Sequence, residues 1–170
     1  MKQIVIVILM MLLGVVNVMS QETEKLPSQQ TEIPVDSLMT RINLLQHNYD
    51  YLECKFELHD LRYELKDLSH QISINTNSLL LYYYTSQIDT DLYTLYLDLY
   101  NSMMNSFNLS KIRVDPVKFM ISQKMSESEF TEIERDVISQ SFVSIDSLLS
   151  YVDQSLQSFK VVIDSYKKKL

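Results

Sequence analysis

"ISQSFVSIDSLLSYVDQSLQSFKVVIDSY", residues 138–166, is the stretch whose reading decides the fold. Ile138, Phe142, Ile145, Leu149, Val152, Leu156, Phe159, Ile163 and Tyr166 alternate in steps of four and three without interruption. That rhythm keeps one side of an α-helix apolar, and it is the a/d pattern of a coiled-coil seam. Serines and acids fill the remaining faces. A helix with one committed apolar side needs a partner, so Ile138 to Ile163 of this set form an expected interaction seam.

Working outward, the same rhythm recurs toward the N-terminus. Leu38, Ile42, Leu45, Tyr49, Leu52 and Phe56 follow it, the phase shifts around Phe56 and Leu58, and the row resumes as Leu61, Leu65, Leu68 and Ile72. A phase shift breaks a strict heptad and locally changes the supercoil. Both halves demand a partner helix. No proline or glycine occurs from Val35 to Asp115, so little punctuates this region. "SINTNS", residues 73–78, is the expected helix break, because Asn, Thr and Ser favour caps and turns. Without that break the register would carry one helix from 35 to 107.

The segment "LLLYYYTSQIDTDLYTLYLDLY", residues 79–100, holds six of the eleven tyrosines. Tyr82, Tyr93, Tyr96 and Tyr100 share a stripe with Met103 and Phe107, and a second stripe runs through Leu81, Ile88, Leu92, Leu95 and Leu99. Two adjacent stripes suit a middle helix touching two neighbours, so these tyrosines read as core and core rim. Tyr83 and Tyr84 point away from the main stripe. They complete a possible binding face of Tyr82, Tyr83, Tyr84, Tyr93, Tyr96 and Tyr100. Next comes an expected connector, "NLSKIRVDP" (108–116). Asp115 and Pro116 have N-cap and first-turn character, which predicts a short helix through Lys124. The S-x-x-E spacing of Ser126 and Glu129 predicts a capping box for the last helix. The expected fold is all-α: three long amphipathic helices plus one short one, in an antiparallel bundle or elongated coiled-coil hairpin.

The first 20 residues read as an export signal: Lys2, an apolar core from Ile4 to Val16, and small or modest residues at Val18 and Ser20. The apolar stretch is shorter than the roughly 20 residues that span a bilayer. Cleavage after Ser20 is therefore expected, with an uncleaved membrane anchor as the lesser alternative. Residues 21–34 read as a flexible polar leader, and 35–170 as one helical domain. The expected location is periplasmic or extracellular, with membrane contact only transiently through the signal.

Composition argues against most chemistry. One glycine, Gly14, leaves no phosphate-cradling loop and no dinucleotide fingerprint. Without Lys2 the chain carries 14 Lys and Arg against 22 Asp and Glu, which opposes nucleic acid as a partner. The basic run Lys167–Lys169 sits where cations complement a helix C-terminus. Asp67 and His70 share a helix face, but no second such pair exists to build a di-metal site, so no metal is expected. Cys54, the one cysteine, reads as a buried thiol, or else as an intermolecular bridge. No catalytic constellation and no cofactor site emerge.

Export signal, acidic body and long helices together resemble the minor, pilus-associated periplasmic subunits of conjugative secretion machines. They also resemble the Skp-like holdase chaperones, although the basic chain and strand-built oligomer core usual there are not visible. The expectation is a non-enzymatic exported scaffold or interaction protein. It would self-associate as a homo-oligomer or pair with another helical subunit through its heptad seams. The alternatives are a periplasmic binding module or holdase using the tyrosine-rich face, and an accessory subunit of a conjugation or secretion machine.

Overall fold

A computed structural model describes residues 35–128 and 130–170. The expected export segment and leader lie outside the described residues, as does Glu129. The described part is all-α: helix α1 spans Val35–Tyr84, α2 Thr90–Glu127 and α3 Glu132–Lys167. Among the described residues there is no strand.

Residues from Thr40 to Leu170 form one compact unit. Side-chain pairs fix its topology. As position in α1 rises, its partner in α2 falls: Asp50 accepts from Ser128, Glu53 pairs with Lys124, Glu64 with Arg113, and Tyr82 packs on Tyr96. The two helices are therefore antiparallel. α2 and α3 are antiparallel too, since Tyr96 and Tyr100 both meet Phe159 edge-on while Lys118 bonds Asp146 at 2.5 Å. α1 and α3 run parallel, with His47 beside Glu134 and Lys169 beside Tyr83. This is an up-down-up three-helix bundle.

Three buried rows converge inside it. α1 contributes Cys54, Leu58, Leu61, Leu65, Leu68, Ile72 and Leu79; α2 contributes Tyr96, Met103, Phe107, Val114 and Ile121; α3 contributes Ile138, Ile145, Val152, Leu156, Phe159, Ile163 and Tyr166. Each row keeps the four-three rhythm, which is the spacing that lets long helices interdigitate at shallow angles.

The helix ends differ from the sequence expectation in three places. "SINTNS" does not break: Asn75 and Thr76 donate back to the carbonyls of Gln71 and Ile72, four residues earlier. Such back-bonding lets polar side chains stay within a helix. Ile72 and Leu79, both buried, anchor the segment from either side. The break falls instead at 85–89, so a single helix over 35–107 is excluded as well. There Ser86 takes a left-handed φ of 57° and the Gln87 N–H bonds the Tyr82 carbonyl at 3.1 Å, the 6→1 bond of a Schellman turn. Asp89 then caps α2, accepting from the Asp91 N–H at 2.7 Å. The Tyr166 hydroxyl clasps this turn, donating to the Gln87 carbonyl and accepting from the Asp89 N–H.

The expected connector at 108–116 and the separate short helix are absent, because α2 runs through both with Pro116 inside it. A proline there removes one backbone bond and crowds the preceding turn, which together cost roughly 3 kcal/mol in a helix interior. Pro116 lies on the exposed side, while buried Val114 and Ile121 hold the helix to the core. Packing outweighs the local defect. The capping box is also displaced, to Thr131 and Glu134, each side chain taking the other's backbone N–H. The later box wins because it lets Phe130 bury its ring edge-on against His47 and Tyr51 of α1.

Candidate interaction surface

The α3 row named as an interaction seam faces inward. Ile138, Ile145, Val152, Leu156, Phe159 and Ile163 are buried, and Phe142 and Leu149 pack partly buried against the same core. Its partners are α1 and α2 of the same chain.

The tyrosine-rich segment also packs in large part against the core. Tyr96 is buried, while Tyr82, Tyr83, Tyr93 and Tyr100 are half-buried against the core. The basic run at the end of α3 closes over them: Lys169 Nζ lies 3.5 Å from the Tyr83 ring centroid and Lys167 Nζ 5.8 Å from that of Tyr93. Cations over aromatic faces are attracted by the ring quadrupole. Tyr84 alone stands out, 76% exposed.

Exposed apolar residues occur on all three helices, among them Ile112 and Phe119 on α2 and Val143 and Val161 on α3, and the longest row of them in one register is on α1. At 100° per residue, positions two apart on a helix point to opposite sides. His47, Tyr51, Cys54, Leu58 and Leu61 turn toward α2 and α3. Ile42, Leu45, Tyr49, Leu52, Phe56, His59 and Tyr63 turn the other way and keep an unbroken four-three rhythm. The six apolar members are each exposed by half or more, Leu45 by 68% and Phe56 by 71%. The row covers about 33 Å of helix at 1.5 Å per residue. Scattered surface leucines are normal, but a contiguous apolar strip in heptad register is a candidate interaction surface. Along it Leu52, Lys55, Phe56 and His59 line a shallow hollow, and the His59 and Tyr63 rings stack at 6.5 Å.

The apparent phase shift near Phe56 is therefore two rows overlapping on one helix, one inward and one outward. The signal was present in the sequence as a second four-three series, His47, Tyr51, Cys54, Leu58, Leu61, running beside the first.

Polar contacts fasten the inner side. Lys124 pairs with Glu53 and, at 3.7 Å, with Asp50. Its burial favours the neutral amine, but the Glu53 carboxylate and then Asp50 outweigh that and raise its pKa. Cys54 beside it is fully buried, and that burial pushes the thiol up. A sulfur with no exposed surface cannot form a bridge to another molecule without the helix opening. Among the described residues, no three His, Cys, Asp or Glu side chains gather as a metal set. No described helix is long and apolar enough to cross a membrane.

No protein-family model, curated protein or solved structure matches the chain.

Proposed function

We propose that the chain is an exported, non-enzymatic helical scaffold that docks one further helix along the outer row of α1. The observation that supports this is the row itself: Ile42, Leu45, Tyr49, Leu52, Phe56 and Tyr63, apolar, exposed and in heptad register on a helix whose opposite side is already packed. Burying such a row against a partner helix removes apolar surface from water at roughly 25 cal/mol per Å². The seam reading of the sequence thus passes from α3, which is used up inside the bundle, to α1.

Two designed three-heptad peptides with Leu at a and d test this by fluorescence anisotropy. One has flanking charges that complement α1 in a parallel pair, the other in an antiparallel pair. Binding of either by the chain, and its loss in the Leu45→Asp/Leu52→Asp variant with helicity unchanged, is the expected result. Failure of both peptides to bind the chain as a monomer would overturn the proposal.

A further inference from the structure

We infer that the occupant of the outer α1 row is the same row of a second copy of this chain, running parallel and in register about a two-fold axis. This rests on the docking reading above and deepens it.

The row's own residues supply the first argument. Ile42, Tyr49, Phe56 and Tyr63 fall at a positions, Leu45, Leu52 and His59 at d. Ile42 with Leu45 has the β-branched a and Leu d that favour two parallel strands, while the other a residues are aromatic and the third d residue is His59.

Charge supplies the second argument, and it also fixes the direction. The g positions flanking the row are Arg41, Asn48, Lys55 and Arg62; the e positions are Gln46, Glu53, Asp60 and Asp67. No acid occupies g and no base occupies e. In a parallel pair each g residue faces the e residue five positions on in the other helix. Arg41 then meets Gln46, Asn48 meets Glu53, Lys55 meets Asp60 and Arg62 meets Asp67, with no like-charge contact. In an antiparallel pair g faces g and e faces e, which sets bases against bases and acids against acids. Like charges at these distances are destabilising.

Access is open as well. α2 and α3 lie on the opposite side of α1 from this row, so neither blocks an approaching copy. Lys55 and Asp60 are both exposed and form no ion pair among the described residues.

Sedimentation equilibrium on the chain from Gln21 onward, which holds every described residue, tests the inference across roughly 1–500 μM. The expected result is a reversible dimer. Lys55→Glu alone and Asp60→Lys alone each place two like-charge contacts in it and weaken it roughly 5- to 30-fold. The double variant Lys55→Glu/Asp60→Lys restores dimerisation to within about 2-fold, and circular dichroism shows all three variants equally helical. A monomer throughout, a dimer indifferent to the single swaps, or a single swap that strengthens association would each overturn the inference. A monomeric chain that still binds either designed peptide loses the self-pairing and keeps the docking function. A monomer that binds neither loses both.

Discussion

Cys54 and Phe56 stand two residues apart on α1 and face opposite ways: Cys54 is wholly buried in the bundle, and Phe56 is 71% exposed. One helix thus carries two apolar surfaces, an inner row that completes the fold and an outer row exposed to solvent. In the proposed docking function, that arrangement separates residues that hold the fold from residues that would contact the partner.

The separation predicts opposite outcomes for one chemical change. Leu156→Asp puts an unpaired carboxylate where the side chain is fully buried, and should lower stability by about 4 kcal/mol or more. Leu45→Asp, on the outer row, should leave the stability of the dilute chain within about 0.5 kcal/mol. Urea unfolding followed by circular dichroism measures both.

Ser86 predicts a gain. Its φ of 57° is a left-handed conformation that disfavours residues with a Cβ, and glycine is the usual occupant of this helix-ending position. Ser86→Gly should therefore stabilise the chain by about 1 kcal/mol, a margin reduced by the extra freedom glycine has when unfolded. Loss of stability on that change would mean the turn depends on the serine side chain.

Glu134 predicts an acid limb. Burial alone would raise its pKa, but the Thr131 backbone N–H, the Thr131 hydroxyl and the His47 ring together outweigh burial and hold it below the ordinary glutamate range. A carboxylate with a lowered folded pKa contributes stability that is present above the unfolded value, about 4.3, and is lost as pH falls through the folded one. Stability should decline below about pH 4.3, and Glu134→Gln should flatten that part of the profile while lowering stability at neutral pH. An unchanged acid limb in the variant would assign it to other carboxylates.

Cys54 predicts kinetic silence. The thiol is buried and its pKa is raised by that burial, so both access and thiolate content are low. A thiol reagent such as a dithiobenzoate should react only as fast as the helix opens, and at once in denaturant. Rapid reaction of the folded chain would contradict the packing of α1 on Lys124.

The sequence displayed the architecture far better than its punctuation. Heptad spacing alone identified the helical rows, because a four-three rhythm has one structural meaning over several turns. Helix ends depend on distant partners that spacing does not show. The turn at 85–89 is fixed by Tyr166, nearly 80 residues further on, while polar residues 73–78 stay helical because Ile72 and Leu79 are held in the core. Pro116 misled for the same reason, since Val114 and Ile121 carry α2 past it. The surface was hidden differently. α3 carries the cleanest heptads in the chain, and clean heptads invite a partner, but that partner is internal. The two overlapping series on α1 read as one series with a slip.

A disulfide at the outer row tests the account most directly. In a parallel in-register pair, d positions face each other across the two-fold axis at Cα separations near the 5.5–6 Å that a disulfide prefers. Leu52→Cys should therefore convert to a covalent dimer under mild oxidation and return to a monomer on reduction. Ser139→Cys, exposed on α3 and away from the row, should stay monomeric under the same conditions. Equal cross-linking at both positions, or none at Leu52→Cys while the chain sediments as a dimer, would contradict pairing through α1.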